Sequence, residues 1–359
     1  MKTIKAVHYS IIQNSNNNAG DNLLFESVRK IIEHFSDIEI EWKVKSMWDL
    51  TSSSQINSDD CDFVLFGGGG IILPDQTGAS NINDTGWQID ISSDDYKNIN
   101  VPYFATAIGY NWFRNCSINP SKISNNLDSF IKNSKFVGFR NNGSLKSVEH
   151  ITKSKYDNVG ILPCPTTLLS EFYFDSSSYI EKNDSSNFNV AINIGCDRLD
   201  QRNVNLKDFS ILNDSIKWMV ENGYSVTYLS HKDIDLDILD YLNVDNVENI
   251  SRFTIDELLK KYSEFDCVFG GRGHSLMIPF GLNIPIVSIT THDKQKFFMD
   301  DAGLHQCNLE LLEHTSDSIL SFVKNLEKNI SYQKKLNYEY QKNGYKLWKE
   351  FVNHLHSSI

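Results

Sequence analysis

The sequence predicts an α/β protein built from two Rossmann-like domains that face a cleft. Three observations predict it. Short apolar runs alternate with amphipathic helical segments along most of the chain, which is the rhythm of parallel β-α-β units. The rhythm breaks at 175–187, a stretch rich in Ser, Asp and Asn that reads as an interdomain linker. The length of 359 residues also exceeds what one core usually organises. The expected division is 1–174 as the first domain and 187–330 as the second. Residues 331–359 are then a C-terminal helix. Its aromatic residues, Tyr338, Tyr340, Tyr345, Trp348 and Phe351, suit a helix that packs back across both domains.

In the first half, 5–12 reads as a strand, followed by an Asn-rich loop ending at Asn18-Ala-Gly-Asp21. Asp21 suits the N-cap of a helix over 22–35, whose apolar side carries Leu23, Leu24, Val28, Ile31 and Ile32. A second strand is expected over 38–44. A third, from Asp62, runs into Gly67, Gly68, Gly69 and Gly70, which read as a loop able to cradle an anion or admit a close approach. No Gly-Lys-Ser/Thr follows, so this is not a nucleotide-phosphate loop of the Walker type. The polar segment 74–100 lacks periodicity, and its Trp87 and Tyr96, with the later Trp112, could face a sugar or be buried. Strands are expected over 102–110 and 135–139, with a helix over 121–133 between them. Arg140 ends the second of these strands, and Asn141-Asn-Gly-Ser144 opens the next helix.

The second half repeats the pattern. Strands are expected over 189–195, 225–229, 267–269 and 285–289, and helices over 209–222, 235–242, 255–262 and 275–282. From Ser316 onward the chain reads as largely helical. Gly270-Gly-Arg-Gly-His274 joins a buried strand to an apolar helix. Ligands in open α/β sheets sit at the carboxyl ends of strands, where a following helix N-terminus favours negative charge. Arg272 is a fixed cation with a fork suited to carboxylate or phosphate, and His274 is a proton donor near neutral pH. The same pattern also fits a surface arginine beside a helix-capping histidine. Arg140 occupies the equivalent place in the first half, with a structural ion pair as the other reading. Lys294, at a strand-to-helix turn, is a third candidate cation.

The net charge of −12 disfavours a general nucleic-acid binder and broad attachment to anionic lipid, because both need basic stripes. It leaves room for a small anionic substrate in a locally basic cleft. The six cysteines are scattered singly, with no spacing that suggests zinc, so a reducing cytoplasm and no metal are expected. No apolar run is long enough to span a membrane.

Several ordered blocks carry a resemblance. They are Asn18-Ala-Gly-Asp21, Phe66-Gly-Gly-Gly-Gly70, Phe139-Arg-Asn-Asn-Gly-Ser144, Pro163-Cys-Pro165, Arg272-Gly-His274, and Pro285-Ile-Val-Ser-Ile289 with Lys294. In this order the chain resembles the polysaccharide pyruvyl transferase family. It departs in having Arg140-Asn141 where the family usually has Arg-Asp, so no acidic role is carried over to Asn141. The tyrosine often found ahead of the family's lysine is also missing, with Thr290 and Thr291 in that region.

The resemblance implies a fold similar to GT-B glycosyltransferases, a phosphoenolpyruvate donor and a sugar acceptor in a cell-surface glycan, with no cofactor. Such an acceptor is a glycan or a lipid-linked sugar; a lipid-linked one would place the protein at the cytoplasmic membrane face. Arg140 and Arg272, which match family arginines, would clamp the donor across the cleft. His274 would act as general acid or phosphate ligand, and Lys294 would neutralise departing phosphate. Asp21 would be an acceptor-side base or simply the helix N-cap. Gly67 to Gly70 would admit a substrate, and Ser144 is assigned to substrate with its block. Two other readings stay open: a GT-B glycosyltransferase using a nucleotide sugar, and a non-catalytic glycan-binding relative.

Overall fold

A computed structural model describes residues 3–11, 19–73, 85, 87–114, 120–173 and 187–359. Two six-stranded sheets, parallel throughout, organise it. The first contains β1 (Thr3–Ser10), β2 (Glu39–Ser46), β3 (Phe63–Ile72), β4 (Tyr103–Tyr110), β5 (Phe136–Phe139) and β6 (Val159–Ile161), in the order β2-β1-β3-β4-β5-β6. The second contains β7 (Asn189–Asn193), β8 (Ser225–Ser230), β9 (Asn246–Asn249), β10 (Cys267–Gly270), β11 (Ile286–Thr290) and β12 (Asn308–Glu310), in the order β12-β11-β10-β7-β8-β9. Strand order reverses between β1 and β3 in one sheet and between β7 and β10 in the other. Such reversals open a crevice at the strands' carboxyl ends.

The helices of the first half are α1 (Ala19–Phe35), α2 (Ser53–Asn57), α3 (Pro120–Asn133), α4 (Asn142–Thr152) and α5 (Leu169–Phe172). Those that follow β7 are α6 (Asn213–Glu221), α7 (Ile255–Ser263), α8 (Gly273–Gly281), α9 (Asp293–Asp301), α10 (Ser316–Val323), α11 (Leu326–Ile330) and α12 (Gln333–Ser358). The apolar stripe of α1 is buried as its spacing demands, with Leu23, Leu24, Val28, Ile31 and Ile32 all inaccessible.

Helix α12 joins the halves. Its Trp348 indole donates to the Pro163 carbonyl at 2.9 Å. Asn337 and Gln341 both donate to the Phe280 carbonyl at 3.1 Å. Phe351 packs on Phe136, and Tyr345 on Phe35. The aromatic spacing of the last segment thus corresponds to a helix shared by both sheets. No helix among the described residues is long and apolar enough to cross a membrane.

Local structure departs from expectation in three places. Gly67 to Gly70 are not a loop but part of β3, which continues to Ile72 through a register shift. Positive φ at Gly67, Gly68 and Gly69 lets the strand bend there without losing its pairing to β4. The helix expected over 235–242 is instead a run of 3₁₀ turns, Asp233–Asp240, because the Asp235 carboxylate is turned inward to accept the amides of His231 and Lys232. The edge strands β6, β9 and β12 have no clear counterpart in the apolar pattern. The expected linker falls almost wholly outside the described residues, as does Asn18.

Candidate active site

The two sheets present their carboxyl ends to one cleft of about 270 Å³. Gly69 and Gly70 of β3 line it, as do Asn111 after β4 and Arg140 after β5. From the second sheet come Asp197 and Arg198 after β7, His231 and Lys232 after β8, Arg272 after β10 and Lys294 after β11. Asp21 enters from α1 and His274 from α8. The structure therefore gathers Asp21, Arg140, Arg272, His274, Lys294, Gly69 and Gly70 around one space.

Within that space Arg272 is held by carboxylates. Its Nε donates to Asp235 Oδ2 at 2.8 Å, its Nη2 pairs with Asp235 Oδ1, and its Nη1 lies 3.0 Å from Asp197 Oδ1. Asp235 is fully buried and also accepts the Cys196 amide at 3.1 Å. One carboxylate thereby fixes Arg272 together with the loops after β7 and β8. Asp197 is shared further. Arg202 Nη2 is 3.0 Å from it and Lys232 Nζ 3.8 Å. Burial opposes its charge, but the surrounding Arg272 and Arg202 hold its carboxyl well below the usual range.

Arg140 is placed differently. It is 7% exposed, and its Nε and Nη2 are buried without a hydrogen-bond partner among the described residues. No ion pair joins it to a carboxylate among the described residues. Burial accordingly pulls its guanidinium below its ordinary value. The side chain lies flat across Gly109, where a Cβ would stand 2.1 Å from Nε, so only glycine leaves room for it. A buried guanidinium with free donors is costly unless an anion completes it.

The imidazole of His274 spans the cleft to α1, with Nδ1 3.3 Å from Asp21 Oδ1. Burial opposes the imidazolium, but the bond and charge of Asp21, aided by Cys164, outweigh it and push His274 up to about 9. For Asp21 burial likewise opposes the charge, and His274 overcomes it and lowers the carboxyl. Gly20 makes this approach possible, since a Cβ there would lie 2.7 Å from that of His274. Asp21 stands inside the first turn of α1, not ahead of the helix. Lys294 is pulled down to about 7, first by burial and then by repulsion from Arg202. Among the described residues, no group of three His, Cys, Asp or Glu side chains could hold a metal ion.

A family model described as polysaccharide pyruvyl transferase matches residues 8–293, which take in nearly every residue of this cleft. The chain belongs to the polysaccharide pyruvyl transferase family. No curated protein matches it in sequence. Its fold is similar to that of S. aureus MnaA in a co-structure with UDP, at 11% identity and a TM-score of 0.54, over 93% of this chain and 91% of the other. A UDP-GlcNAc 2-epimerase from Methanocaldococcus jannaschii, in complex with UDP-GlcNAc and UDP, is similar at 9% identity and a TM-score of 0.54, over 98% and 100% of the two chains. The corresponding enzyme from Neisseria meningitidis, bound to UDP-GlcNAc, gives 12% and 0.52, over 98% and 99%. At these identities the likeness establishes the fold, which is of GT-B type.

For this pyruvyl transferase family member, two of the expected site regions lie back from the cleft. Gly67 and Gly68 face Thr106 and Leu24, inside the sheet-helix packing. Ser144 is fully buried, and its hydroxyl accepts the Tyr110 amide at 3.0 Å, tying α4 to the end of β4. Asn141, where the family usually has Asp, caps α4 by accepting the Ser144 amide at 2.8 Å. The cleft also contains residues that the sequence reading did not single out: Trp48, Gln88, Phe113, Asp197, Arg198, Arg202, His231 and Lys232. Asp197 and Arg198 follow a predicted strand just as Arg140 does, so the same strand-end signal could have found them. Nothing local marks Trp48, which reaches the cleft from a short 3₁₀ turn after β2.

Proposed function

We propose that the cleft binds phosphoenolpyruvate and transfers its three-carbon unit to two hydroxyls of a sugar, forming a pyruvate ketal and releasing phosphate. The observation that carries this reading is Arg140: a buried guanidinium, unpaired among the described residues, facing a cleft that also holds Arg198, Arg202, Lys232, Arg272 and Lys294 against Asp21 and Asp197. That balance calls for a ligand with several negative charges, and phosphoenolpyruvate has a phosphate and a carboxylate close together. Family membership supports the same donor. The first half of the chain adds uncharged groups to the lining, Trp48, Gln88, Asn111 and Gly70, which suit a sugar ring and its hydroxyls.

The chemistry follows from the placement. His274 is charged at neutral pH and gives its proton to the methylene carbon of the enol. The electron pair of the C=C bond takes that proton, leaving an oxocarbenium-like centre at C2. A sugar hydroxyl attacks C2 and passes its proton to the now neutral His274. The C2–O bond to phosphate then breaks, and a second hydroxyl of the same sugar closes the ketal, its proton leaving with the phosphate. Arg140 and Lys294 stabilise the carboxylate and the departing phosphate. Arg272, already bonded to Asp235 and Asp197, acts as the anchor that holds these loops in place.

Calorimetry with phosphoenolpyruvate, UDP-GlcNAc and UDP on wild type and Arg140→Met tests the reading. Phosphoenolpyruvate binding that is lost in the variant is the expected result. Binding of the nucleotide sugar with none of phosphoenolpyruvate would replace this reading with glycosyl transfer.

A further inference from the structure

Four residues after β4 do more than close a loop. Asn111 packs against Gly70, where a Cβ would meet its side chain at 2.8 Å, and its amide donates to the Ile72 carbonyl at 2.9 Å. Trp112 is buried beside Tyr110, with ring centroids 5.6 Å apart. From there the chain crosses to the other sheet. The Phe113 ring lies 4.5 Å from that of His292. The guanidinium carbons of Arg198 and Arg202 stand 5.5 Å and 5.8 Å from the Phe113 centroid, within cation–π range. Arg114 then donates Nε to Asp293 Oδ1 at 2.7 Å and both terminal nitrogens to Glu310 at 3.0 Å.

These contacts fall on the carriers of the cleft's cations. His292 and Asp293 immediately precede Lys294, and His292 Nδ1 accepts the Lys294 amide at 3.1 Å. The turn that presents Lys294 is therefore held at two consecutive residues by this segment, by Phe113 on His292 and by Arg114 on Asp293. Arg198 sits in the left-handed region, at φ 55°, and its guanidinium lies within cation–π distance of the Phe113 ring, as does that of Arg202. Arg202 also has its Nε buried without a hydrogen-bond partner among the described residues. Side chains of one sheet's loop thus set the positions of three cations contributed by the other.

We propose that Phe113 and Arg114 are positioning residues that register Arg198, Arg202 and Lys294 on the anion, so that anion affinity depends on this strap between the sheets. The proposal rests on the pyruvyl transfer reading for the identity of the anion, but not for its existence.

The test is calorimetric titration of the full chain with inorganic phosphate and, separately, with phosphoenolpyruvate. The variants are Phe113→Leu, Phe113→Tyr and Arg114→Gln. Phe113→Leu keeps apolar volume and removes the ring face; a loss of roughly tenfold in affinity for phosphate is expected for two weakened cation–π contacts. Phe113→Tyr keeps the face and should hold affinity to within about twofold of wild type. Arg114→Gln should weaken phosphate binding while Lys334→Gln, at an exposed position of α12, leaves it unchanged. Wild-type affinity for phosphate in both Phe113→Leu and Arg114→Gln would overturn the strap. Phosphate binding that follows these expectations, with no binding of phosphoenolpyruvate by wild type, would uphold the strap and overturn the donor assignment. A wild type that binds neither anion overturns both.

Discussion

His274 on α8 and Asp21 on α1 meet across the cleft, with 3.3 Å between Nδ1 and the carboxylate. The pair links a helix of the first half to one of the second at the point where the proposed reaction delivers a proton. It also sets the sign of the pH dependence. His274 is raised from 6.5 to about 9, so its contribution to stability is fully present below pH 6.5 and is lost as pH rises through 9. The loss is on the order of 3 kcal/mol at most. Denaturation midpoints measured from pH 6 to 10 should fall across this window, and Asp21→Asn should flatten the fall. In turnover, the alkaline limb near pH 9 should move to lower pH in Asp21→Asn.

Arg140→Met should separate function from stability. The variant removes a buried charge without a hydrogen-bond partner for Nε and Nη2 among the described residues, so unfolding free energy is expected to rise by about 1 kcal/mol. Affinity for the anionic donor should be lost at the same time. Urea denaturation and calorimetry on one preparation measure both, and a less stable variant would show that Arg140 is not a strained cation in the ligand-free protein.

Arg272→Ala is expected to fail for another reason. It strands the buried Asp235 carboxylate, a change that costs about 3–5 kcal/mol. Loss of fold should therefore accompany loss of activity. Arg272→Met combined with Asp235→Leu should recover part of the stability but not the turnover, and a double-mutant cycle in urea measures the coupling.

Lys294, pulled down to about 7 by burial and by Arg202, should take up a proton when an anion binds, because the bound charge favours the ammonium form. Calorimetry of phosphoenolpyruvate at pH 8 in buffers of different ionisation enthalpy should report uptake of up to one proton. Lys294→Met should abolish the buffer dependence.

Gly109→Ala tests how Arg140 is held. A Cβ at that position overlaps the guanidinium, so the side chain must move. Donor affinity should drop by roughly tenfold or more, as for other displaced charge-assisted contacts. Stability should change less than in Arg272→Ala.

The alternating sheets and the strand-end positions of Arg140, Arg272 and Lys294 were legible because they follow from local periodicity and from a general rule about where α/β sheets bind ligands. Edge strands β6, β9 and β12 were not legible. They are three or four residues long, and β6 and β9 lack a fully buried residue to announce them. The commitment of Arg272 to Asp235 was hidden for a different reason. The two lie 37 residues apart, and no local pattern says which carboxylate a buried arginine will find. Phe113 reads in sequence as an ordinary apolar residue after a strand; only the crossing to His292, Arg198 and Arg202 gives it a role.

Helix α12 also bears on how the chain acquires its shape during synthesis. It supplies the Trp348 and Phe351 contacts to Pro163, Phe104 and Phe136, yet it is translated after every strand of both sheets. The first sheet therefore leaves the ribosome with that apolar face uncovered, and it stays so while some 170 further residues are added, on the order of ten to thirty seconds at ordinary elongation rates. A chaperone that shields exposed aromatic surface would find its target there. Expression of 1–173 alone should yield aggregated protein, and adding α12 in trans as a peptide should improve its recovery.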